Sequence, residues 1–436
     1  MSNWQQVTLE PLSSVDDPNF GAHAEEPAVL RTLTSDWQQV TLGRLFSVDN
    51  SKLGAHTEEP TVMSLSKYNG FVRADEYFGK RIASEKLDGY KIVGPGGWAY
   101  STIHIDEGSI ARNNLGETGA ISPMYTTLRW RGEGAALPEY AELMVRSPRM
   151  LAEYANNAQG SVNRRRSLPF KAFSAIPIIL PPLPMQERIV EIIGAVDNQL
   201  TALDSEAGTA RRLLNMVLAK HFSAVEGEPH RIIDLCSHVV GGVWGKPEGE
   251  GEVDRLALGP RIYTPGTSDF VTDDSPIRSF TTKQADTRTV QEQDIILERS
   301  GGSPEQPVGR VAIAGPALAP CVPTDFQRLL RVDADKALPR YVFWRLRHDW
   351  ASGLTHNYSR RTTGITNLSV KEYIARKIAM PSLKEQAGLV ERAAGFDALI
   401  VALRAEAASL RQVRASLLSG LLNRSINIKS AELLEV

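Results

Sequence analysis

Two clusters of arginine are the residues of this sequence whose type and spacing most clearly suggest a chemical role. Both clusters are in loops, and their residues are Arg164, Arg165, Arg166, Arg360 and Arg361, with Tyr358 and Thr362 beside the second cluster. A guanidinium group forms paired hydrogen bonds with a phosphate or with the edge of guanine. A single basic run is more often a solvated loop or a helix cap. Recurrence of the run in similar loops favours a nucleic-acid contact.

Motifs for catalysis and metal binding are missing from the sequence. It contains no Gly-x-x-x-x-Gly-Lys-Ser/Thr phosphate loop, no Asp/Asn-Pro-Pro-aromatic methyltransferase motif and no His-Glu-x-x-His. The string GGVWGKPEG at 241–249 lacks a hydroxyl residue after its lysine and is interpreted as a turn, and the glycines of 299–310 indicate a loop between strands. Eight scattered histidines, and two cysteines that are far apart in sequence, argue against a zinc site. We therefore expect no catalytic residue and no metal in this chain.

Composition indicates a globular protein and leaves DNA binding open. Hydrophobic residues make up 42% and charged residues 23%, which are ordinary values. The sequence has neither a run of about 18 apolar residues nor the N-terminal pattern of a secretory signal, so we expect a cytoplasmic protein. The formal net charge of −2 counts initially against a protein that binds DNA alone. DNA binding would still be compatible with this net charge if basic residues were gathered on one face, or if partners supplied phosphate contacts.

A short tandem repeat stands at the N-terminus. Residues 4–29 recur at 37–62, with 17 of 26 positions identical. The second copy continues into a plausible domain, whereas the first runs directly into the second copy. We interpret residues 1–35 as a duplicated leader, peripheral to the fold; a genuine capping segment is the alternative.

A second repeat involves two long segments that align without a gap. Residues 180–219 match 380–419 at 12 of 40 positions. Apolar residues recur every three or four positions, which is the a/d pattern of a coiled coil. In the first segment they are Ile189, Ile193, Val196, Leu200, Leu203, Ala207, Ala210, Leu214 and Val217, and only Arg414 interrupts the second. Two matching patterns favour helices that pair with each other, antiparallel if a two-fold axis relates them, over helices that each pack on their own domain.

The chain is therefore predicted to alternate between domains and helices. Between the helical segments, short β-rich runs alternate with Gly/Pro turns and occasional helices, a pattern typical of α+β domains. The predicted order is a leader at 1–35, a first domain at 36–184, a helix at 185–224, a second domain at 225–382, a helix at 383–422 and a tail at 423–436. The predicted fold is α+β, with two pseudo-repeated domains separated by two long helices that form an antiparallel coiled coil.

Two junctions carry a resemblance to a known family. The first reads SVNRRRSLPFKAFSAIPIILPPLPMQERIV and the second YSRRTTGITNLSVKEYIARKIAMPSLKEQAGLV. Each has an arginine-rich loop, then β-type residues, then a proline- and glutamine-containing entry into a heptad helix. Over about 36–422 the chain resembles the specificity subunit of type I restriction–modification systems. The second junction, MPSLKEQ, departs from the PPLPMQ pattern of the first.

The resemblance implies a non-catalytic DNA reader. Each domain would be a target-recognition domain for one half of a bipartite, asymmetric site on double-stranded DNA, with the arginine clusters among its contacts. The helices would fix the spacing and dock two methyltransferase (modification) subunits. S-adenosylmethionine, ATP and Mg would be held by these subunits and by the restriction/translocase subunits, and this chain would hold no cofactor.

Two other functions remain open at this point. A structural adapter whose paired domains bind protein would explain the near-neutral charge, and would show no salt-dependent affinity for DNA. A nuclease with dispersed carboxylates would cleave DNA with magnesium, although no Asp/Glu-x-Lys cluster stands out.

Overall fold

The chain divides into two compact units that are each built around their own core. The computed structural model describes residues 37–53, 60–78, 87, 89–160, 166–264, 268, 270, 272–273, 275–302, 306–316, 318–361 and 365–426. Unit 1 comprises Met1–Ile193 with Ser416–Val436, and unit 2 comprises Gly194–Ala415. The predicted leader, residues 1–35, lies outside the described residues.

Unit 1 contains two four-stranded sheets. Its strands are β1 (Gln38–Thr41), β2 (Phe46–Val48), β3 (Thr61–Ser66), β4 (Gly70–Arg73), β5 (Lys91–Val93), β6 (Trp98–Ser101), β7 (Ile110–Arg112), β8 (Gly119–Ile121), β9 (Tyr125–Trp130) and β10 (Pro177–Leu180). Its helices are α1 (Leu42–Leu45), α2 (Ala74–Phe78), α3 (Pro138–Val145), α4 (Pro148–Asn157) and α5 (Phe170–Ala175), with a 3-10 turn at Ile105–Glu107. The sheet orders are β2-β9-β6-β7 and β4-β3-β8-β5, and β1 pairs separately with β10. Strands β3 and β8 are parallel, and the other pairs are antiparallel.

The long helix α6 (Leu183–Ala224) follows, and then the elements of unit 2. The strands are β11 (Glu228–Arg231), β12 (Cys236–Gly241), β13 (Val253–Leu258), β14 (Ile277–Phe280), β15 (Ile295–Glu298), β16 (Ser300–Gly301), β17 (Val311–Ile313), β18 (Cys321–Pro323), β19 (Gln327–Val332), β20 (Ser359–Arg361), β21 (Thr366–Leu368) and β22 (Lys377–Met380). The helices are α7 (Thr282–Arg288), α8 (Pro339–Ala351), α9 (Val370–Ile374) and the long α10 (Leu383–Leu422), with 3-10 turns at Ile232–Leu235, Pro260–Ile262 and Leu354–Tyr358.

The sheets of unit 2 repeat the topology of unit 1. Their orders are β12-β19-β15-β17, β14-β13-β18 and β16-β21-β20, and β11 pairs with β22. The four-stranded sheet has the connectivity of β2-β9-β6-β7. The three-stranded sheet corresponds to β4-β3-β8, including its single parallel pair, β13 with β18. The terminal strands pair in the same way, β1 with β10 and β11 with β22. One fold therefore occurs twice in the chain.

Local sequence signals explain where several helices begin. Both α3 and α8 start with a proline, which has no N–H to leave unsatisfied in the first turn. Helix α7 starts with a capping box, because the Thr281 side chain accepts from the N–H of Gln284 and the Gln284 side chain accepts from the N–H of Thr281. Strand β15 is buried along its whole length, as its Ile-Ile-Leu run predicts.

The two long helices pair in an antiparallel direction, as predicted. In unit 2, Leu200 and Leu203 of α6 pack with Leu403 and Ala407 of α10. Ion pairs run in the same sense: Asp197 lies 2.5 Å from Nε of Arg414, and Asp204 lies 2.7 Å from Arg411. Arg414, the one break in the apolar pattern, is therefore accommodated by a carboxylate on the facing helix.

Helix α6 begins at Leu183, two residues before the predicted boundary. The prediction placed the start of the helix after the prolines of the junction. Pro184 is tolerated because it is in the first turn, and the Pro182 carbonyl already accepts hydrogen bonds from the amides of Met185 and Gln186. Among the described residues, none of the helices combines the length and the apolar character needed to cross a membrane.

Candidate nucleic-acid interface

A glutamine fixes each junction between a domain and its long helix. Gln186 and Gln386 are the glutamines of the two junction motifs, and their side chains are fully buried. The Oε1 atom of Gln186 accepts from the amide of Leu137 at 2.8 Å, and its Nε2 donates to the carbonyls of Ala135 and Pro181.

Gln386 repeats this arrangement in unit 2. Its Oε1 accepts from the amide of Leu338 at 2.9 Å, and its Nε2 donates to the Pro381 carbonyl at 2.9 Å. Leu137 and Leu338 are the residues directly before α3 and α8. The sequence showed that both glutamines are identical in the repeat, but their role in tying a domain helix to the long helix was not predicted.

The second arginine cluster is on a β-hairpin. Arg360 and Arg361 lie in β20 and pair with Asn367 and Thr366 of β21. Both arginines are exposed. Arg360 Nη2 lies 2.9 Å from Oε1 of Glu372, and both side chains of this ion pair are well exposed, at 72% and 58%. A solvent-exposed pair of this kind is weak, so a phosphate can replace the carboxylate at little cost.

The hairpin is supported by a third strand and a buried ion pair. Strand β16 pairs with β21, and Ser300 Oγ donates to Oδ1 of Asn367 at 2.5 Å. Next to β16, Gly301 has φ +145°, and a Cβ there would lie 2.6 Å from Oε1 of Glu298. Glu298 is 1% exposed and accepts two hydrogen bonds from the guanidinium of Arg310, at 2.6 and 3.0 Å. Glycine is therefore required at position 301, at the base of the hairpin.

Arg166, the described residue of the first arginine cluster, lies in unit 1 at the place of Thr366, on the arm opposite Arg360 and Arg361. Gln159 and Ser167 form an antiparallel bridge, with both backbone hydrogen bonds present at 2.8 and 2.9 Å. Arg166 is partly buried, and its Nη2 donates to the Ala158 carbonyl at 2.8 Å. Arg164 and Arg165 belong to the same predicted cluster and lie outside the described residues. Arg166 thus holds the base of the loop together in this structure.

The residues that flank the second cluster differ in their surroundings. The ring of Tyr358 is partly buried and makes an edge-to-face contact with Tyr373, at 5.4 Å between centroids. It packs against the hydrophobic core of unit 2. Thr362 lies outside the described residues. Of the predicted contact residues in the described part of the chain, Arg360 and Arg361 are the ones whose side chains are exposed.

Several other arginines of unit 2 are bound to buried carboxylates. Arg331 pairs with Asp294 at 2.7 Å, and Arg345 and Arg376 both pair with Asp349. These acids are each about 1% exposed. Breaking a buried pair of this kind leaves an uncompensated charge, so these arginines serve the fold.

The described part of the chain contains no cluster of side chains suited to a metal ion. Histidine, cysteine and acidic side chains there do not gather in threes or more that could hold a metal ion. Both cysteines are free, and burial raises the pKa of the Cys236 and Cys321 thiols to about 12. At neutral pH neither thiol is a nucleophile. The chemistry that the arrangement supports is the binding of anions by arginine.

Comparison with solved structures places the fold. No protein-family model matches the sequence, and no curated protein is significantly similar to it. A chain from a structure concerned with the assembly and conformational transition of the type I restriction–modification system matches with a TM-score of 0.53 and 15% identity, over 89% of this chain and 97% of that one.

Two S subunits also match over most of their length. The HsdS subunit from Thermoanaerobacter tengcongensis has a TM-score of 0.39 and 16% identity, and the type I S subunit from M. genitalium has a TM-score of 0.49 and 13% identity. Each match covers 90% of this chain and 97% of the other. The chain has the fold found in type I restriction–modification systems. The predicted α+β fold class is confirmed, and the family resemblance predicted from the two junctions is confirmed at the level of the fold.

Proposed function

We propose that this chain is the DNA-sequence-specificity subunit of a type I restriction–modification complex. It reads a bipartite site on double-stranded DNA and directs methylation and restriction by its partner subunits. The observation that carries the proposal is the duplicated fold, in which one domain topology and one long helix occur twice, with exposed arginines on a hairpin of the second copy. Two such domains in one chain can each read one half of a bipartite, asymmetric DNA site.

The division of labour follows from this proposal. Residues 36–184 and 225–382 are the two target-recognition domains, and the helices at 185–224 and 383–422 set their spacing and dock two modification subunits. Arg164, Arg165, Arg166, Arg360 and Arg361, with Tyr358 and Thr362, contribute DNA contacts. The complex acts in the cytoplasm. S-adenosylmethionine, ATP and Mg belong to the modification and restriction/translocase subunits, and this chain performs no chemical step.

Carboxylates neutralise the arginines of the hairpin only in part, and this supports DNA binding over a purely protein-binding adapter. An adapter surface would satisfy its guanidinium groups with carboxylates, as the core of unit 2 does at Asp294 and Asp349. Arg360 instead has only an exposed, exchangeable partner, and Arg361 is exposed beside it. Such groups can bind DNA phosphates and release the cations condensed on the DNA, which supplies a large share of the affinity of DNA-binding proteins.

Methylation mapping in cells tests the proposal. The chain is co-expressed with a type I modification subunit from the same genome, and methylated positions are mapped across the host DNA. We expect a two-part motif with a fixed gap that disappears when this chain is deleted. A stable complex that produces no such motif would favour the adapter.

A further inference from the structure

The backbone segment 241–245 (GGVWG) is surrounded by guanidinium groups. The sequence indicated only a turn here. A methyl group on Gly241 would lie 2.7 Å from Nη1 of Arg328, so the guanidinium lies directly against this glycine. Arg288 Nε donates to the Gly241 carbonyl at 2.8 Å. Arg278 Nη2 donates to the Gly245 carbonyl at 3.2 Å, and its guanidinium lies 5.1 Å from the ring centre of Trp244.

Further arginines add to the positive charge of this region. Burial, and then the charge of Arg299, lower the pKa of Arg328. Arg255 lies directly opposite Arg278 in the pairing of β13 with β14. Like charges opposite each other on neighbouring strands destabilise a sheet. These positions therefore carry a cost in the isolated fold that an anion would relieve.

Carboxylates do not balance these charges. Among the described residues, no ion pair to Asp or Glu involves Arg278, Arg288, Arg299 or Arg328. Their hydrogen bonds go to uncharged groups instead, mainly backbone carbonyls. Nearby acids are engaged elsewhere: Glu252 accepts from the amide of Thr282, and Asp254 accepts from the amide of Gly249.

The repeat shows that the fold does not require arginine at two of these positions. Strand pairing makes Thr126 the counterpart of Arg328, because Thr126 lies opposite Tyr100 in the pairing of β6 with β9 and Arg328 lies opposite Leu297 in the pairing of β15 with β19. Leu168 and Leu368 are equivalent residues of the two units and make equivalent hydrogen bonds. The amide of Leu168 donates to the carbonyl of Thr102, and the amide of Leu368 donates to the carbonyl of Arg299. Unit 1 thus has threonines where unit 2 has Arg299 and Arg328.

We propose that unit 2 has a second DNA-contacting surface beside the arginine hairpin, and this inference rests on the proposed function. This arginine–tryptophan surface consists of Trp244, Arg278, Arg288, Arg299 and Arg328. Its arginines bind the phosphates of double-stranded DNA, and Trp244, which is 44% exposed, makes an apolar contact with the sugars or base edges of a groove. Arg299 connects the two surfaces, because its carbonyl accepts from β21 of the hairpin.

Binding of the assembled complex to DNA tests this surface. The probe is a duplex that carries the motif mapped for the wild type, and its dissociation constant is measured over a range of salt concentrations. For Arg299→Thr with Arg328→Thr, which installs the residues of unit 1, we expect at least tenfold weaker binding. The slope of log K against log salt should fall by about two, at about 0.9 for each phosphate that is no longer neutralised. Trp244→Ala should weaken binding with an unchanged slope, because the indole is neutral.

Arg231→Ala is the matched control, because it removes an exposed arginine of unit 2 that is paired with Asp234 at 2.7 Å. Arginine and tryptophan variants that assemble normally and bind like this control would overturn the inference while the proposed function stands. A wild-type complex without sequence-specific binding would overturn both. If the double threonine variant fails to assemble, Trp244→Ala, at an exposed position, and Arg288→Ala decide the outcome by the same criteria.

Discussion

At the scale of single residues, each junction glutamine links a domain helix to a long helix through hydrogen bonds. We call this link the brace. Each buried carboxamide joins the amide in front of a domain helix to the carbonyl in front of a long helix. No other residue type of this size supplies one acceptor and two donors. Their identity in the two repeats therefore reflects the hydrogen bonds of the scaffold, and their substitution affects folding before it affects DNA contact.

Truncation of these glutamines tests the brace. For Gln386→Ala we expect a loss of about 2–4 kcal/mol in the free energy of unfolding, because the amide of Leu338 and the carbonyl of Pro381 lose their partner in a buried setting. Gln186→Ala should cost at least as much, because Gln186 makes three such bonds. Urea denaturation measures both.

The control for this prediction is Gln412→Ala, which changes an exposed glutamine on α10. A change within about 0.5 kcal/mol is expected there. Equal stability of the Gln386→Ala and Gln412→Ala variants would show that the brace contributes nothing.

Two histidines give unit 2 a defined response to acid. His221 and His348 both lie against the ring of Phe222, with centroids 5.1 and 5.3 Å away. Burial lowers the pKa of both imidazoles. Neighbouring arginines lower it further, whereas Glu385 near His221 and Asp349 near His348 raise it in part. The unfolded chain therefore binds these protons more readily than the folded chain does. Their contribution to stability is complete above the ordinary histidine pKa of about 6.5 and is lost as the pH falls below it.

A comparison of melting temperatures at pH 7.5 and 5.5 checks this response. We expect the drop in melting temperature of the wild type to be reduced in a His221→Gln, His348→Gln variant, which cannot take up these protons. Other groups also titrate in this range, so the difference between the two proteins is the informative quantity. An identical drop in both would exclude a role for the histidines.

At the scale of elements, the structure shows which copy of the tandem repeat is suited to its place. In the second copy, a Cβ on Gly43 would lie 3.0 Å from the carbonyl oxygen of Ser174. Phe46 is 1% exposed and makes edge contacts with Trp98 and Trp130. The first copy has Glu10 and Ser13 at these two positions. A bulky acid against a backbone carbonyl and a small polar residue in an aromatic core would both oppose packing.

Introducing the residues of the first copy into the second tests this interpretation. The variant with Gly43→Glu and Phe46→Ser should lose at least about 3 kcal/mol, the usual cost of truncating a buried phenylalanine. Deletion of residues 1–35 should leave the melting temperature unchanged. A deletion that destabilises the protein would support the capping segment over the peripheral leader.

The long helices and the α+β class could be predicted because their signals are local and repeated. The spacing of Leu200, Leu203 and Ala207 is a regular pattern, and its recurrence in the same register indicates a partner. The strand topology could not be predicted, because the strands are short and insertions shift the alignment between the two domains. The terminal strands are offset by 190 residues at Gln38 and Glu228, whereas their partners are offset by 200 at Leu180 and Met380.

The proposed contact residues could be predicted from the sequence only in part. Arg360 and Arg361 could be proposed as contacts because runs of arginine are visible in sequence. Arg299 and Arg328 are single residues in the sequence. Strand pairing places Arg328 opposite Gly241, and Arg299 directly follows β15, which pairs with the strand of Arg328. Composition also gave no indication that Arg166 would bind a backbone carbonyl.

At the scale of the whole molecule, duplication separates the two halves of the proposed recognition. The described cores are distinct, one built around Trp98 and Phe173 in unit 1 and the other around Tyr341 and Trp344 in unit 2. A substitution in one hairpin should therefore leave the other domain folded. The free-energy effects of substitutions at independent sites add within about 0.3–0.5 kcal/mol. Additive effects on DNA binding would therefore indicate that both domains contact the same DNA molecule.

A cycle of protein and DNA changes makes this test specific. One double variant carries Arg164→Ala and Arg165→Ala, and the other carries Arg360→Ala and Arg361→Ala. We expect each to weaken DNA binding by about 1–3 kcal/mol for every arginine that hydrogen-bonds to a base edge. The two effects should add when all four changes are combined. A base change in one half of the site should then abolish the effect of mutating the domain that reads it, and leave the effect of the other domain intact. Binding measured with the assembled complex on four duplexes provides the full cycle. If both half-sites respond equally to both pairs of changes, the arginines bind DNA without dividing the site between the two domains, and the bipartite reading is wrong.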